Sequence, residues 1–267
     1  MKTLCIMVLR NGLSMTKPAV KSILAQTEPC DILLIDNASS DGTAQWMNTL
    51  HYPVACSFLR EQIPLAAAWN MGLHIAFDRH AYDAAWVVNS DVLFRPDTLK
   101  WLNADDRPFV TCVSVRTEEQ LNVEVVTPGE RARPHPDFSS FRMLREVWYR
   151  GFRFDERYLG AYGEDSQGHY DLHRMGVECV CIDVPFLHYG SGTILDADPA
   201  EKRRVQVQAE KNRKLFRSIN GCEIGSPEYY ALFKTSSSQQ HDDRSESQLS
   251  NDTPQTQDSA SEPDEQA

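Results

Sequence analysis

Leu4 to Leu9 is an unbroken apolar run, and Asp31 to Ile35, Val54 to Leu59 and Ala84 to Val88 are short segments of similar character. Short apolar runs bounded by polar residues are the pattern of strands buried on both faces of a parallel sheet. Helical periodicity fills the intervals. Ser14 stands where it can N-cap a helix over Thr16 to Gln26, with Pro18 tolerated in the first turn. Thr43 to Leu50 predicts a short helix, and Pro64 to Phe77 a strong one, with Ala66, Ala67, Ala68, Trp69, Leu73 and Ala76 apolar. Strand alternating with helix predicts an α/β fold with a mostly parallel sheet and right-handed crossovers. Beyond Pro96 the pattern loosens. Phe109 to Val115, Val123 to Val126 and Glu178 to Val184 read as strands, Gly129 to Asp137 as a loop, and Gly163 to Met175 and Pro199 to Ile219 as helices.

Composition changes this picture at one end. From Thr235 to Ala267 the chain is mostly Ser, Gln, Asp, Glu, Thr and Pro, and this segment carries a net −7 of the chain's −11. Such a segment has too little apolar surface to offset its ordering entropy, so the sequence predicts a disordered acidic tail after a domain over residues 1–234. Deleting Ser236 to Ala267 is expected to leave melting temperature and turnover unchanged; a large loss of either in the truncated protein would overturn that reading. The seven cysteines show no CxxC or Cys/His spacing of a zinc site and read as reduced core residues, Cys179 and Cys181 sharing one strand face. The N-terminal apolar run ends at Arg10-Asn11-Gly12, too short for a signal peptide, and no segment reaches the length of a membrane span. A cytoplasmic protein, with peripheral attachment to a membrane left open, is the expectation.

Four polar clusters interrupt the buried pattern. Asp36-Asn37-Ala38-Ser39-Ser40-Asp41-Gly42-Thr43 follows the second strand, and Asn89-Ser90-Asp91 follows the fourth. The carboxyl edge of an open α/β sheet is where ligands bind, and an Asp there can hold a hard divalent cation through oxygen. Read alone, either cluster is equally an Asx turn closing a strand. Asn70, one turn into an apolar helix, needs a polar partner, which a bound nucleotide can supply. Glu164 and Asp165 are adjacent carboxylates at a predicted helix N-terminus, where the dipole favours their ionised forms and suits a general base.

Together these clusters resemble family 2 of the glycosyltransferases, which has the GT-A fold, a Rossmann-like nucleotide-binding architecture. The resemblance rests on the Asp36–Thr43 loop, the Ala68-Trp69-Asn70-Met71-Gly72 helix, Asn89-Ser90-Asp91, the segment from Phe154-Asp155-Glu156 to Gly163-Glu164-Asp165, and more loosely His188-Tyr189-Gly190-Ser191-Gly192-Thr193. It covers about residues 3–222. Asn89 stands where many members have Asp, and Ser166-Gln167 where many continue with x-Asp. The resemblance implies a nucleotide-sugar-binding half over 1–95 and an acceptor and catalytic half over 96–234. It implies inverting transfer of a sugar from a nucleotide-diphosphate donor, with a UDP-sugar expected, to an acceptor hydroxyl. Asp91 and His188 would be metal ligands, and an imidazole ligand suits Mn²⁺ better than Mg²⁺. Asp36, Asn37, Asn70, Asn89 and Asp91 would bind donor, with Asp165 the base and Glu164 in reserve.

Two other classes fit parts of the pattern. An inactive GT-A domain could act as a binding or scaffold protein. A nucleotidyltransferase should carry a Gly-rich, Lys/Arg-bearing phosphate loop after its first strand, and Arg10-Asn11-Gly12-Leu13-Ser14 is not one. The acceptor is the least legible partner. Lys202, Arg203, Arg204, Lys211, Arg213, Lys214 and Arg217, with Arg131, Arg133, Arg142, Arg145, Arg150 and Arg153 upstream, read as a solvated face or as a surface for an anionic acceptor. The anionic candidates are a lipid-linked glycan, an acidic glycan and a modified nucleic-acid base.

Overall fold

A computed structural model describes residues 1–131, 137–160, 162–190, 199–231 and 233. The expected tail and the Ser191-Gly192-Thr193 part of the loose motif lie outside the described residues. The strands are β1 (Thr3–Leu9), β2 (Asp31–Asp36), β3 (Val54–Phe58), β4 (Ala84–Val88), β5 (Val92–Phe94), β6 (Phe109–Val115), β7 (Ser140–Leu144) and β8 (Cys179–His188). They form one sheet in the order β3-β2-β1-β4-β7-β6-β8-β5. β3, β2, β1 and β4 pair in parallel, as do β6 and β8, while β7 runs antiparallel between β4 and β6 and β5 antiparallel beside β8.

Nine helical segments surround the sheet among the described residues: α1 (Leu13–Leu24), α2 (Thr43–Met47), α3 (Leu65–His74), α4 (Thr98–Ala104), α5 (Glu118–Leu121), α6 (Arg145–Tyr149), α7 (Glu164–Arg174), α8 (Pro199–Asn220) and α9 (Pro227–Ala231). α3 loosens into a π-helical turn over Ile75–Arg79. The unbroken apolar character of β1 follows from its two covered faces. Leu4, Ile6 and Val8 pack with α3, α6 and α7 residues such as Trp69, Val147 and Leu172. Cys5, Met7 and Leu9 pack on the other face with α1 and α4 residues such as Val20, Ile23 and Leu99. α3 approaches β1 so closely that a Cβ at Gly72 would lie 2.6 Å from Ile6 Cγ2, which accounts for the glycine two residues after Asn70. No described helix is long and apolar enough to cross a membrane.

The elements differ from the sequence expectations at several points, each with a local cause. α1 begins at Leu13 without a cap from Ser14: Gly12, at φ 73°, turns the chain into the helix, and Asp41 of the next loop accepts from Leu13 N at 3.0 Å. No strand forms at Val123–Val126; Val123 and Val126 are 57% and 75% exposed, and both edges of β8 are occupied by β6 and β5. β8 runs past Val184 through Pro185 to His188, with a register shift in β6 between Thr111 and Val113. β7 was not legible because Arg142 stands in its middle. That guanidinium is fully buried and donates to the carbonyls of Leu102, Asp105 and Arg107, satisfying the end of α4 and the turn after it.

Candidate active site

The functional edge follows from strand direction. β4, β6 and β8 run the same way, so the end of β4 at Asn89 and the end of β8 at His188 face the same side. β7 and β5 run oppositely and therefore begin there, bringing Ser139 and Asp91 to the same edge, with Val92 registered on His188. A cleft of about 1260 Å³ opens along it. Its lining includes Arg10–Met15, Asn37, Asp41, Trp69, Asn89, Ser90, Asp91, Asp137, Ser139, Glu164, Asp165 and His188.

At its centre, His188 Nε2 lies 3.5 Å from Asp91 Oδ1 and 3.3 Å from Ser139 Oγ, and Nδ1 lies 3.6 Å from Asp137 Oδ2. Burial alone would lower the His188 pKa, but the carboxylates of Asp137 and Asp91 outweigh it and raise it to about 9. Asp137 is held well below the usual carboxylate range: its burial works the other way but is overcome by contacts with His188, Ser139 and Ser114. Asn89 is tied to the same group, donating from Nδ2 to Ser139 Oγ at 3.2 Å. Carboxylate oxygen and imidazole nitrogen are a donor set for a divalent transition ion. Two ligands about 2.0–2.3 Å from one ion on adjacent coordination positions lie about 3 Å apart, so the Asp91–His188 spacing fits with little movement. No cluster of three or more His, Cys, Asp or Glu able to hold a metal occurs among the described residues, so an ion here needs further ligands.

Glu164 and Asp165 open α7 on the cleft wall. Gly163, at φ 103°, makes the turn into the helix, and a Cβ there would meet Tyr158 at 2.9 Å. The two carboxylates differ. Asp165 is half-buried and accepts from Ser166 N at 2.7 Å. Glu164 is buried, its Oε2 has no hydrogen-bond partner among the described residues, and burial together with the Asp165 charge pushes its pKa up to about 8. Burial thus defeats the helix dipole at Glu164, against the expectation that both acids stay ionised. The sign for stability follows: with a folded value above the unfolded 4.5, folding loses stability as pH rises from about 4.5 to 8. Glu164→Gln is expected to remove a pH-dependent loss on the order of 3 kcal/mol, read by urea unfolding of both proteins at pH 5 and pH 8. Parallel pH dependence in the two would contradict it.

Not every sequence candidate reaches the cleft. Asp36 is buried at the end of β2 and closes its own loop, Oδ1 accepting from Ser39 N at 3.2 Å; it is not on the cleft lining. Asn37 does line the cleft, but its amide is committed to both backbone groups of Ile63, at 2.9 Å each, which pins the 60–64 segment to β2. Asn70 faces a separate groove and is satisfied by the chain itself, bonding Phe154 N, Phe154 O and Glu156 Oε1 at 2.8–2.9 Å. The polar partner its position demanded is the Phe154-Asp155-Glu156 segment. Among the upstream arginines, Arg142 is core, Arg153 stacks on Trp148 and donates to two carbonyls, Arg150 donates to Met175 O, and Arg131 and Arg145 are exposed and pair with Asp183 and Asp83. Arg133 lies outside the described residues. Asp137 and Ser139 carry no sequence signal as site residues, because that signal is β7, whose start carries them to the edge.

A model of glycosyl transferase family 2 matches residues 4–152. The chain belongs to that family. The family match stops before α7, so the placement of Glu164, Asp165 and His188 rests on the geometry above. No curated protein sequence matches the chain. Among solved structures, the mannosyltransferase PcManGT from Pyrobaculum calidifontis, in complex with GDP-Man and Mn²⁺, is similar with a TM-score of 0.54 and 19% identity, over 93% of this chain and 83% of its own. TarS 1-349 from S. aureus, in complex with UDP-GlcNAc, gives 0.53 and 14%, over 90% and 78%. GalNAc-T7, with UDP, GalNAc and Mn²⁺, gives 0.58 and 13%, over 70% and 43%. At these identities the likeness shows the fold, GT-A, of this family 2 glycosyltransferase.

Proposed function

We propose that this glycosyltransferase moves a sugar from a nucleotide-diphosphate donor to an acceptor hydroxyl with inversion, assisted by a divalent cation. The observation that carries the reading is the meeting, on one cleft, of an Asp91–His188 donor pair with a carboxylate, Asp165, at the N-terminus of α7. Asp91 and His188 would hold the ion, Asp137 would steady the imidazole from its other nitrogen, and Mn²⁺ is favoured over Mg²⁺ because one donor is nitrogen. When bound, the ion would supply positive charge against the departing diphosphate. Asp165 takes the proton from the acceptor hydroxyl as that oxygen bonds to the anomeric carbon and the bond to the diphosphate breaks. Glu164, neutral beside it, is the reserve candidate. Asn89, Asn37 and the loop shaped by Asp36 would flank the donor, and Trp69, whose Nε1 has no hydrogen-bond partner among the described residues, offers it a donor group. The GDP-Man, UDP and UDP-GlcNAc bound by the similar structures support a nucleotide-sugar donor, with a UDP-sugar the first to try.

The test is a screen of UDP- and GDP-sugars for hydrolysis and transfer by the full chain before and after dialysis against EDTA. One donor is expected to turn over, to lose essentially all turnover on chelation, and to regain it with Mn²⁺ at lower concentration than with Mg²⁺. Undiminished turnover in excess EDTA would remove the metal from the mechanism; no turnover of any nucleotide sugar would favour an inactive binding domain.

A further inference from the structure

Leu159, Gly160, Tyr162 and Gly163, between Tyr158 and α7, are held in a way that the transfer chemistry alone does not require. Tyr162 has φ 75°, a left-handed conformation that is uncommon and strained for a bulky residue. Gly160 and Gly163 beside it are also left-handed, at φ 72° and 103°. The conformation is fixed from outside the loop. Asn212 of α8, 2% exposed, donates from Nδ2 to the carbonyls of both Leu159 and Tyr162, at 2.9 and 2.8 Å. Gln208, one turn earlier, donates to Asn212 Oδ1 at 3.0 Å and holds that amide in orientation. A buried side chain is thus committed to holding a strained loop, and strain of this kind gathers at ligand clamps. What the loop presents is apolar: Leu159 and Tyr162, 50% and 45% exposed, both line the cleft beside Asp165.

We propose that Leu159 and Tyr162 form the acceptor subsite, a platform on which the acceptor lays the apolar face of a neutral sugar ring with its hydroxyl toward Asp165. This inference rests on the transferase reading above and names the acceptor class within it. Exposed aromatic and aliphatic surface beside a base is stabilised by a partner with an apolar face and a polar edge, which is the character of a pyranose ring. Charge points the same way. With Glu164 protonated and the His188 imidazole neutral once it holds the ion, the described cleft lining carries Asp41, Asp91, Asp137 and Asp165 against Arg10 and Arg204, and a divalent ion with a diphosphate brings no net positive charge. An acidic wall disfavours a phosphorylated or carboxylated acceptor.

Two measurements test the proposal. With the nucleotide sugar identified by the screen, and cellobiose, chitobiose, methyl mannoside and glucose 6-phosphate as acceptors, Tyr162→Ala is expected to raise the KM of the neutral acceptor about 10-fold or more while donor KM changes less than about 2-fold. Tyr162→Phe keeps the ring and should restore acceptor KM. Alanine at φ 75° bears the same backbone strain, so the melting temperature should stay close to that of the parent. A parallel rise in both KM values, or preferred use of glucose 6-phosphate, would overturn the proposal. Should no donor turn over, the transferase reading has failed independently, and the platform is still tested in the full chain labelled with ¹³C-tyrosine, with UDP and Mg²⁺ present. The resonance missing in Tyr162→Phe should shift on titration with at least one of the neutral saccharides and not with glucose 6-phosphate. Absence of any shift with the neutral saccharides would overturn it.

Discussion

Asp91→Asn is expected to lower turnover by about 10³-fold with the melting temperature nearly unchanged, because charge stabilisation of a leaving group by a bound ion is worth several kcal/mol. The substitution keeps the size of the side chain and removes its charge. The backbone does not depend on that charge: Asp91 O accepts from Tyr189 N, and Val92 keeps its register on His188. The near-neutral cost to folding has a second cause. With Asn at position 91 the His188 imidazole keeps Asp137 on its other side. His188→Ala should act on the same ion from the other ligand, raising the Mn²⁺ concentration needed for half-maximal turnover more than it lowers stability. Isothermal titration of Mn²⁺ in the presence of UDP separates the two roles: both variants should bind the ion more weakly than the parent. Full turnover by Asp91→Asn at ordinary Mn²⁺ would show that the carboxylate is no ligand.

The parallel half of the sheet was legible because its information is local. β1, β2 and β4 are apolar on both faces, and a polar residue at or just past the end of each, Arg10, Asp36 and Asn89, marks the functional edge. The site's second half depends on pairing across long sequence separations, which leaves no local signature. Ser139 and Asp137 become edge residues only because β7 runs antiparallel to β4, and β7 itself is hidden by a buried arginine that periodicity reads as solvent-facing. Asn70 shows the converse limit. Its apolar surroundings demand a polar partner, but that partner sits 84 residues away in the same chain, at Phe154. Arg142 and Arg153 likewise lose their surface meaning once their carbonyl partners are in view, whereas Arg204 keeps a place on the cleft. Burial, unlike charge, also has no sequence signal at Glu164, and it is burial that separates the two adjacent acids.

That separation decides the second prediction. Asp165→Asn is expected to reduce turnover by about 10²–10⁴-fold, the range for loss of a general base, with donor KM and UDP affinity nearly unchanged. The helix N-terminus supports a negative charge at Asp165, and Ser166 N donates to the same carboxylate, fixing it on the cleft wall. Its neighbour is poised oppositely. With its pKa raised to about 8, Glu164 holds its proton at neutral pH, and part of that shift is the field of Asp165 itself. Glu164, pushed up in this way, is the member of the pair that keeps its proton, which leaves the acceptor's proton to its neighbour. Glutamine is an isostere of the protonated acid, so Glu164→Gln should retain most of the turnover at pH 7 while Asp165→Asn does not. Single-turnover measurements with saturating donor place the loss in the chemical step rather than in binding or release. The opposite pattern, an inactive Glu164→Gln beside an active Asp165→Asn, would transfer the base to Glu164 and require substrate binding to lower its pKa by drawing its proton away.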